Sequence, residues 1–330
     1  MTTLWDTTGT AVVKALAAER RQAGSVSSGL ALTLIVVVDE KHVADAEAAA
    51  THAAAQHPCR LLVVVRRRPD APEARLDAEV LIGGRLGPGE AVVMRMYGRL
   101  ALHAESVVLP LLAPDAPVVT WWYSEPPYKI AHDPLGVLAE RRITDCQLAP
   151  DEMAALSLRA DDYAPGDTDL GWTRTTLWRA LCASALDSVD GAVQTARVTG
   201  AAGHVTRALL AGWLASRLGI EVEQVDAEGT GLSEVELTAG ATTVTISRGK
   251  GTTAIMRRTD QPDRTLPLPR RDLGELLAEE LRRLDPDEPY AEALGAATGT
   301  SGLSDRSPHR THEWHDPVES DNPDPALSMS

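Results

Sequence analysis

The chain has 330 residues, 32 Lys and Arg against 47 Asp and Glu for a formal charge of −15, with 44% hydrophobic and 24% charged residues. That length supports about two domains with real cores, and the composition excludes a wholly disordered, collagen-like or membrane-spanning chain. The acidic balance argues against a nucleic-acid binder, whose phosphate-binding surface needs clustered basic residues; only Lys14, Lys41, Lys129 and Lys250 are lysines, so positive charge here means arginine.

Residues 1–9 show no basic segment leading into an apolar run, so no secretory signal is expected and the expected location is the cytoplasm. Residues 10–23 read as a helix with Val12, Val13, Leu16 and Ala17 in one stripe, ended by the Gly/Ser run 24–29. The apolar run 30–38 (LALTLIVVV) suits a strand buried on both faces. Residues 42–56 are alanine-rich and helical, and His57-Pro58 ends them, because the residue before proline resists the α region. The run 60–65 (RLLVVV) completes a β-α-β unit with parallel strands. Residues 76–82 and 90–97 read as a hairpin around the glycines of 83–89. A helix at 100–109, a strand at 117–122, a helix at 133–140, a short strand at 143–148 and a helix at 151–158 follow. The alternation predicts a three-layer α/β first domain over 1–162, with a mostly parallel sheet, and the segment 163–167 reads as a linker.

The second domain, 168–298, is expected to be α/β as well. Helices at 172–189 and 203–218 flank a strand at 193–199, with Gly219 as the helix stop. Alternating strands at 220–225, 233–237, 242–247 and 252–258 read as a sheet with one wet face and an antiparallel meander. Helices at 272–284 and 289–294 close the domain. Residues 299–330 read as a disordered acidic tail; 301–330 hold six acids against two arginines and few apolar residues.

Reactive motifs are sparse. Cys59, Cys146 and Cys182 are odd in number and lack CxxC spacing, so they read as buried small hydrophobes, and no metal is expected. His103 could meet Ser106 across one helical turn, but no orienting acid or oxyanion pocket accompanies the pair, so no catalytic residue is assigned. His309, His312 and His315 recur every three residues in the tail, a spacing open to weak metal chelation or to chance. Gly200, Gly203 and His204 stand where a strand opens into a helix. That turn reads either as an anion site for a sugar phosphate or nucleotide, or as a tight structural turn; it lacks GxGxxG and a following lysine. Trp121, Trp122, Tyr123, Pro126, Pro127 and Tyr128 concentrate aromatics and prolines at a strand end, in a chain with no phenylalanine. They read either as a protein-contact loop or as packing; alternation turns Trp121 and Trp122 to opposite faces, so one of the two belongs to the core.

The runs 103–112 (HAESVVLPLL) and 115–122 (DAPVVTWW), the segment 169–179 (DLGWTRTTLWR) and the helix 209–214 (LLAGWL) resemble the glucose-6-phosphate dehydrogenase assembly protein family, OpcA, of actinobacteria and cyanobacteria. The resemblance runs from about residue 1 to 294, over both domains. It implies a non-enzymatic protein with no cofactor that binds glucose-6-phosphate dehydrogenase and favours its active oligomer in NADPH metabolism. For such a role the aromatic loop is the expected docking surface, formed by Trp122, Tyr123, Pro126 and Pro127 with Arg174 and Arg179 on the rim. In the cyanobacterial branch cysteines tie the partnership to thioredoxin; here Cys59, Cys146 and Cys182 fall in apparent core segments.

Overall fold

The computed structural model describes residues 1–23, 30–83, 89–187 and 189–307. They form two compact units. The first contains Met1–Thr144 and Leu273–Pro286; the second contains Asp145–Asp272 and 287–307. In chain order the first unit holds β1 (Thr2–Leu4), α1 (Gly9–Gln22), β2 (Leu32–Val38), α2 (Val43–Gln56), β3 (Cys59–Arg67), β4 (Arg75–Ile82), β5 (Glu90–Tyr97), α3 (Arg99–Leu102), α4 (Glu105–Val108), β6 (Val118–Trp122), α5 (Pro134–Val137) and β7 (Arg141–Thr144). The second holds α6 (Glu152–Asp162), β8 (Asp167–Asp169), α7 (Leu170–Arg174), α8 (Thr176–Leu186), β9 (Thr195–Gly200), α9 (Val205–Leu218), β10 (Val222–Asp226), β11 (Leu232–Ala239), β12 (Thr242–Arg248), β13 (Thr253–Arg258) and β14 (Gln261–Pro267). The chain then returns to the first unit for α10 (Leu273–Glu280) and ends in the second with α11 (Glu288–Thr298).

Both units are α/β, as the alternation of patterns predicts. Seven strands of the first unit lie in the order β1-β4-β5-β3-β2-β6-β7. Five of them, β5, β3, β2, β6 and β7, run parallel, while β4 and β1 add an antiparallel edge. Residues of β2 are buried along its whole length, the mark of a strand covered on both faces. Ile35, Val37, Leu62, Val64, Met94 and Trp122 meet Val12 and Leu16 of α1 on one face. On the other, α2 lies against β2 and β3, and α10 packs on α2. A Cβ at Gly274 would stand 2.6 Å from the His52 Cβ, so only glycine lets α10 approach this closely. The carboxylate of Glu90 is fully buried and takes Arg20 in a bidentate pair (2.6 and 2.6 Å) together with Arg60 (2.9 Å), tying α1, β3 and β5.

The second sheet has the order β10-β9-β11-β12-β13-β14, with β9 and β10 parallel and the remaining pairs antiparallel. Trp178 and Cys182 of α8 and Leu210 and Leu214 of α9 pack on Val198, Val235, Leu237, Val244 and Ile246. A second cluster in the same unit joins α6, α7, α9 and α11 through Leu156, Tyr163, Trp172, Leu209, Tyr290 and Leu294.

Several expected boundaries move. The two compact units divide at 144/145. Tyr163 is buried against Tyr290, and Asp167 accepts from the Ala164 amide at 2.8 Å, so Pro165-Gly166 forms a packed turn within the second unit. The helix expected over 172–189 is split at Thr175, whose hydroxyl donates to the Trp172 carbonyl (2.7 Å) and competes with the helical ladder. The helix expected over 100–109 is broken into α3, α4 and a 3-10 turn that contains Pro110, a residue with no amide to donate. β1 and β14 carry no alternation; β14 is an exposed edge strand containing Pro262 and Pro267. Packed structure continues past 298: Leu303 is buried, and the Arg306 guanidinium donates to the carbonyls of Ala160, Asp161 and Tyr163 at the end of α6. The glycine turns at 24–29 and 84–88 and the histidines His309, His312 and His315 lie outside the described residues.

Candidate functional site

In an open parallel sheet the strands' carboxyl ends share one edge, and ligand-facing side chains gather there, where the strand order reverses. Here the chain moves from β2 to β3 and β5 on one side, then crosses to β6 on the other. The register aligns Val37 with Trp122, Val38 with Val65, and Arg67 with Tyr97. One edge of the first unit therefore presents residues 39–42, Arg66–Arg68, Tyr97 and the loop after Trp122. The turn from β2 into α2, Asp39-Glu40-Lys41-His42, contains no glycine and so lacks the close backbone approach of a dinucleotide loop.

The aromatic loop divides between core and surface. Trp122 is 1% exposed and belongs to the hydrophobic cluster around α1, and Pro127 is also buried. Packing thus accounts for both, and neither offers a surface. Trp121 is buried too, so both tryptophans lie inside. Tyr123 is half-buried; its amide donates to the Val37 carbonyl (3.0 Å), and its ring meets Trp121 and His42 edge-on at 5.2 and 5.6 Å. Pro126 is half-buried and Tyr128 is 45% exposed.

Two and three strand spacings from β6, about 10 and 14 Å, the ends of β3 and β5 carry an arginine group that the sequence reading passed over. Tyr97 has the guanidiniums of Arg67, Arg68 and Arg75 at 5.4, 6.0 and 5.5 Å from its ring centre, and Arg67 also donates to its hydroxyl (2.9 Å). Asp77 holds Arg75 in a bidentate pair (2.9 and 2.8 Å) and keeps it charged. Arg95 bridges Glu40 (3.1 Å) and Glu79 (2.7 Å). Arg68 has φ +39, a left-handed conformation that costs a side-chain-bearing residue roughly 1–2 kcal/mol. The available signal was three consecutive arginines directly after a buried strand, with an aromatic at the end of the paired strand.

In the second unit the turn Gly200–Val205 is closed from within. The Val205 amide donates to Glu152 (2.8 Å), the Thr206 amide to His204 Nδ1 (3.2 Å), and the Ala201 amide to the Gly231 carbonyl (3.0 Å). Arg207 donates to the Gly200 carbonyl (3.1 Å) and pairs with Asp226 (2.6 Å). Gly203 takes φ +65, which completes the turn. Burial pushes the His204 imidazole below its usual range; Glu152 opposes this, and Arg174, Arg207 and Arg270 add to it. The place an anion would take at the start of α9 is held by the protein's own carboxylate, which favours the structural-turn alternative for Gly200, Gly203 and His204.

The two rim arginines are also committed. Arg174 makes a bidentate pair with the buried Asp145 (2.7 and 2.7 Å), and Arg179 lies 3.6 Å over the Trp172 ring. Ser106 donates to the backbone carbonyl of His103 (2.7 Å), while the His103 ring stands 3.5 Å from Glu105, so the pair makes no nucleophile–base contact. Among the described residues no group of His, Cys, Asp and Glu is arranged to hold a metal, and no helix is long and apolar enough to cross a membrane.

These features define a two-unit α/β protein whose parallel sheet exposes arginine and tyrosine at its carboxyl edge. Residues 50–161 match the family model of the glucose-6-phosphate dehydrogenase subunit N-terminal domain, and residues 165–294 match that of the C-terminal domain. The chain belongs to the glucose-6-phosphate dehydrogenase assembly protein family, OpcA. No curated protein matches it. Similar solved structures include KijD10, a 3-ketoreductase from Actinomadura kijaniata (12% identity, 82% of this chain and 96% of that one, TM-score 0.45). An oxidoreductase from Sinorhizobium meliloti (12%, 81% and 86%, 0.39) and a levoglucosan dehydrogenase (11%, 83% and 96%, 0.44) are others. Likeness at that level bears on neither activity nor cofactor.

Proposed function

We propose that this chain is a non-catalytic partner of glucose-6-phosphate dehydrogenase that binds the enzyme and favours its active assembly in the cytoplasm. The observation that carries this reading is the match of both parts of the chain, in order, to the two domain models of the assembly family. An activator of this kind works by population shift: it binds one state of its target better than another. Each tenfold preference moves the balance by about 1.4 kcal/mol.

The contact loop is Tyr123, Pro126 and Tyr128 at the end of β6, a narrower set than the sequence suggests because Trp122 and Pro127 are core residues. Tyrosine serves this role well, since it brings a large rigid area and a hydroxyl at low entropic cost. The purified chain and the dehydrogenase from the same source are mixed, and size exclusion and initial rates are read together. The expected result is co-elution with a raised rate. Tyr128→Ser should weaken co-elution without lowering the melting temperature, and Tyr123→Ala should weaken it further. Turnover of a metabolite by the chain alone, or indifference to the dehydrogenase, overturns the reading.

A further inference from the structure

We propose that Arg67, Arg68 and Arg75, gathered around Tyr97, form a docking surface for a carboxylate-bearing face of a partner protein. The inference rests on the function proposed above and names the chemistry by which the dehydrogenase would be held.

The backbone is the first ground. Arg68 sits at φ +39, where glycine or asparagine is the usual occupant. Its side chain is exposed, so no core packing explains the strain. The loop that imposes this conformation is firmly built. The Arg68 carbonyl accepts from the Ala71 amide (2.9 Å) and the Gly98 amide (3.1 Å). Gly98 has φ +58, and a Cβ there would stand 2.7 Å from the Glu73 carbonyl and 2.8 Å from that of Ala71, so the loop closes directly on the β5 end. Strain held in place by a well-ordered surround is characteristic of recognition sites.

Charge is the second ground. Three guanidiniums within 6.0 Å of one ring repel one another, and their carboxylate partners are unevenly shared. Arg75 is the one arginine paired with Asp77 among the described residues, and the same carboxylate also accepts from the Asp6 amide (2.9 Å). Arg67 reaches Glu40 only at 3.8 Å, and Glu40 lies closer to Arg95. Arg68 pairs with no carboxylate among the described residues. Arg67 and Arg75 keep 39% and 46% of their side-chain surface exposed, so the N–H groups not used on Tyr97 and Asp77 remain accessible to carboxylates. Asp70 and Glu73 are exposed on the same loop, which makes the surface mixed in sign. A mixed surface on a chain of net charge −15 disfavours an extended polyanion such as nucleic acid and suits a protein face carrying both signs. The aromatic loop at the end of β6 shares this edge, so one partner surface can span both.

The test uses the full chain and the dehydrogenase from the same source, with affinity read at several salt concentrations. Arg68→Gly relieves the backbone and should leave the melting temperature equal or higher. Its dissociation constant should rise about tenfold, with a shallower salt dependence. Arg67→Gln should act in the same direction. A wild-type chain that fails to bind the dehydrogenase overturns the proposed function and this surface with it. A wild-type chain that binds while Arg68→Gly binds within about twofold overturns this surface alone. Binding of short single-stranded DNA by the wild type, lost in Arg68→Gly, overturns the protein-partner assignment.

Discussion

The two units use charged side chains beside their strand ends in opposite ways. At the carboxyl edge of the first sheet, arginines gather on a half-buried tyrosine, and one of them has no carboxylate of its own among the described residues. At the start of α9 in the second unit, Glu152, His204 and Arg207 turn inward and bond the very amides and carbonyls a ligand would use. The glycine turn looks more like a binding motif in sequence, yet its groups are already committed. What separates a recognition surface from a structural turn is therefore how much hydrogen-bonding capacity is left over, a quantity that residue type does not reveal.

Buried carboxylates extend the contrast and give the largest expected effect. Burial pushes Glu90 up, but Arg20 and Arg60 outweigh it and hold the group below its usual value. Burial of Asp145 wins instead: Arg174 and the Gln147 amide favour its charged form, but burial and the Asp169 carboxylate outweigh them, so its value is raised. Glu90→Ala leaves the buried Arg60 charge with no carboxylate and only the Leu111 carbonyl (2.7 Å), and should cost about 3–5 kcal/mol in chemical denaturation. A loss under about 1 kcal/mol would mean the Glu90 pair behaves as a surface bridge.

Next in size is the closure of the α9 turn. Glu152→Ala removes a charged acceptor from the Val205 amide at a partly exposed site and should cost about 1–2 kcal/mol. Wild-type protein should show no thermal shift with millimolar glucose 6-phosphate, 6-phosphogluconate or NADP, because stabilisation requires binding to the folded state. A clear upward shift that maps to this turn would falsify the closed-turn reading.

A smaller effect is expected from pH. His204 Nδ1 accepts the Thr206 amide, so the imidazole must be neutral there, and its folded value lies below the ordinary 6.5. The unfolded chain then binds more protons, and the contribution is complete above 6.5 and falls away as pH drops through the folded value. Glu90 adds a separate loss below 4.5, the ordinary carboxylate value beneath which its folded value lies. His204→Asn preserves the cap, since asparagine caps helices well, and should flatten only the upper part of the stability–pH curve. An unchanged curve would place the proton elsewhere.

Much of the fold was legible because its signals are local. The runs 30–38 and 60–65 lie on buried parallel strands, and the alternation in β11 and β12 marks a sheet with one wet face. The site was less legible because its signals are long-range. Nothing near residue 152 announces that its carboxylate meets an amide at 205, and nothing near 68 announces that 97 lies beside it. Trp122 and Tyr123 are neighbours in sequence with different fates: Trp122 ends β6 inside the α1 cluster, and Tyr123 follows the strand and is half-buried.

The cysteines offer the gentlest comparison of the two units. Burial pushes Cys59 in the first unit up to about 12 and Cys182 in the second up to about 12. Cys146 is raised well above its ordinary value, by burial first and then by the Asp169 charge. Thiolate, the reactive form, is therefore scarce at all three while the protein is folded. An aromatic disulfide reagent at pH 8 should label none of them in the native state and all three in denaturant. Because labelling then waits on opening, its rate at Cys59 reports the first unit and its rate at Cys182 the second. Equal rates would mean the units open together, and a faster rate at one would identify the less stable unit. Prompt labelling of Cys146 in native protein would mean that its surroundings open on their own, which would restore the redox control that burial argues against.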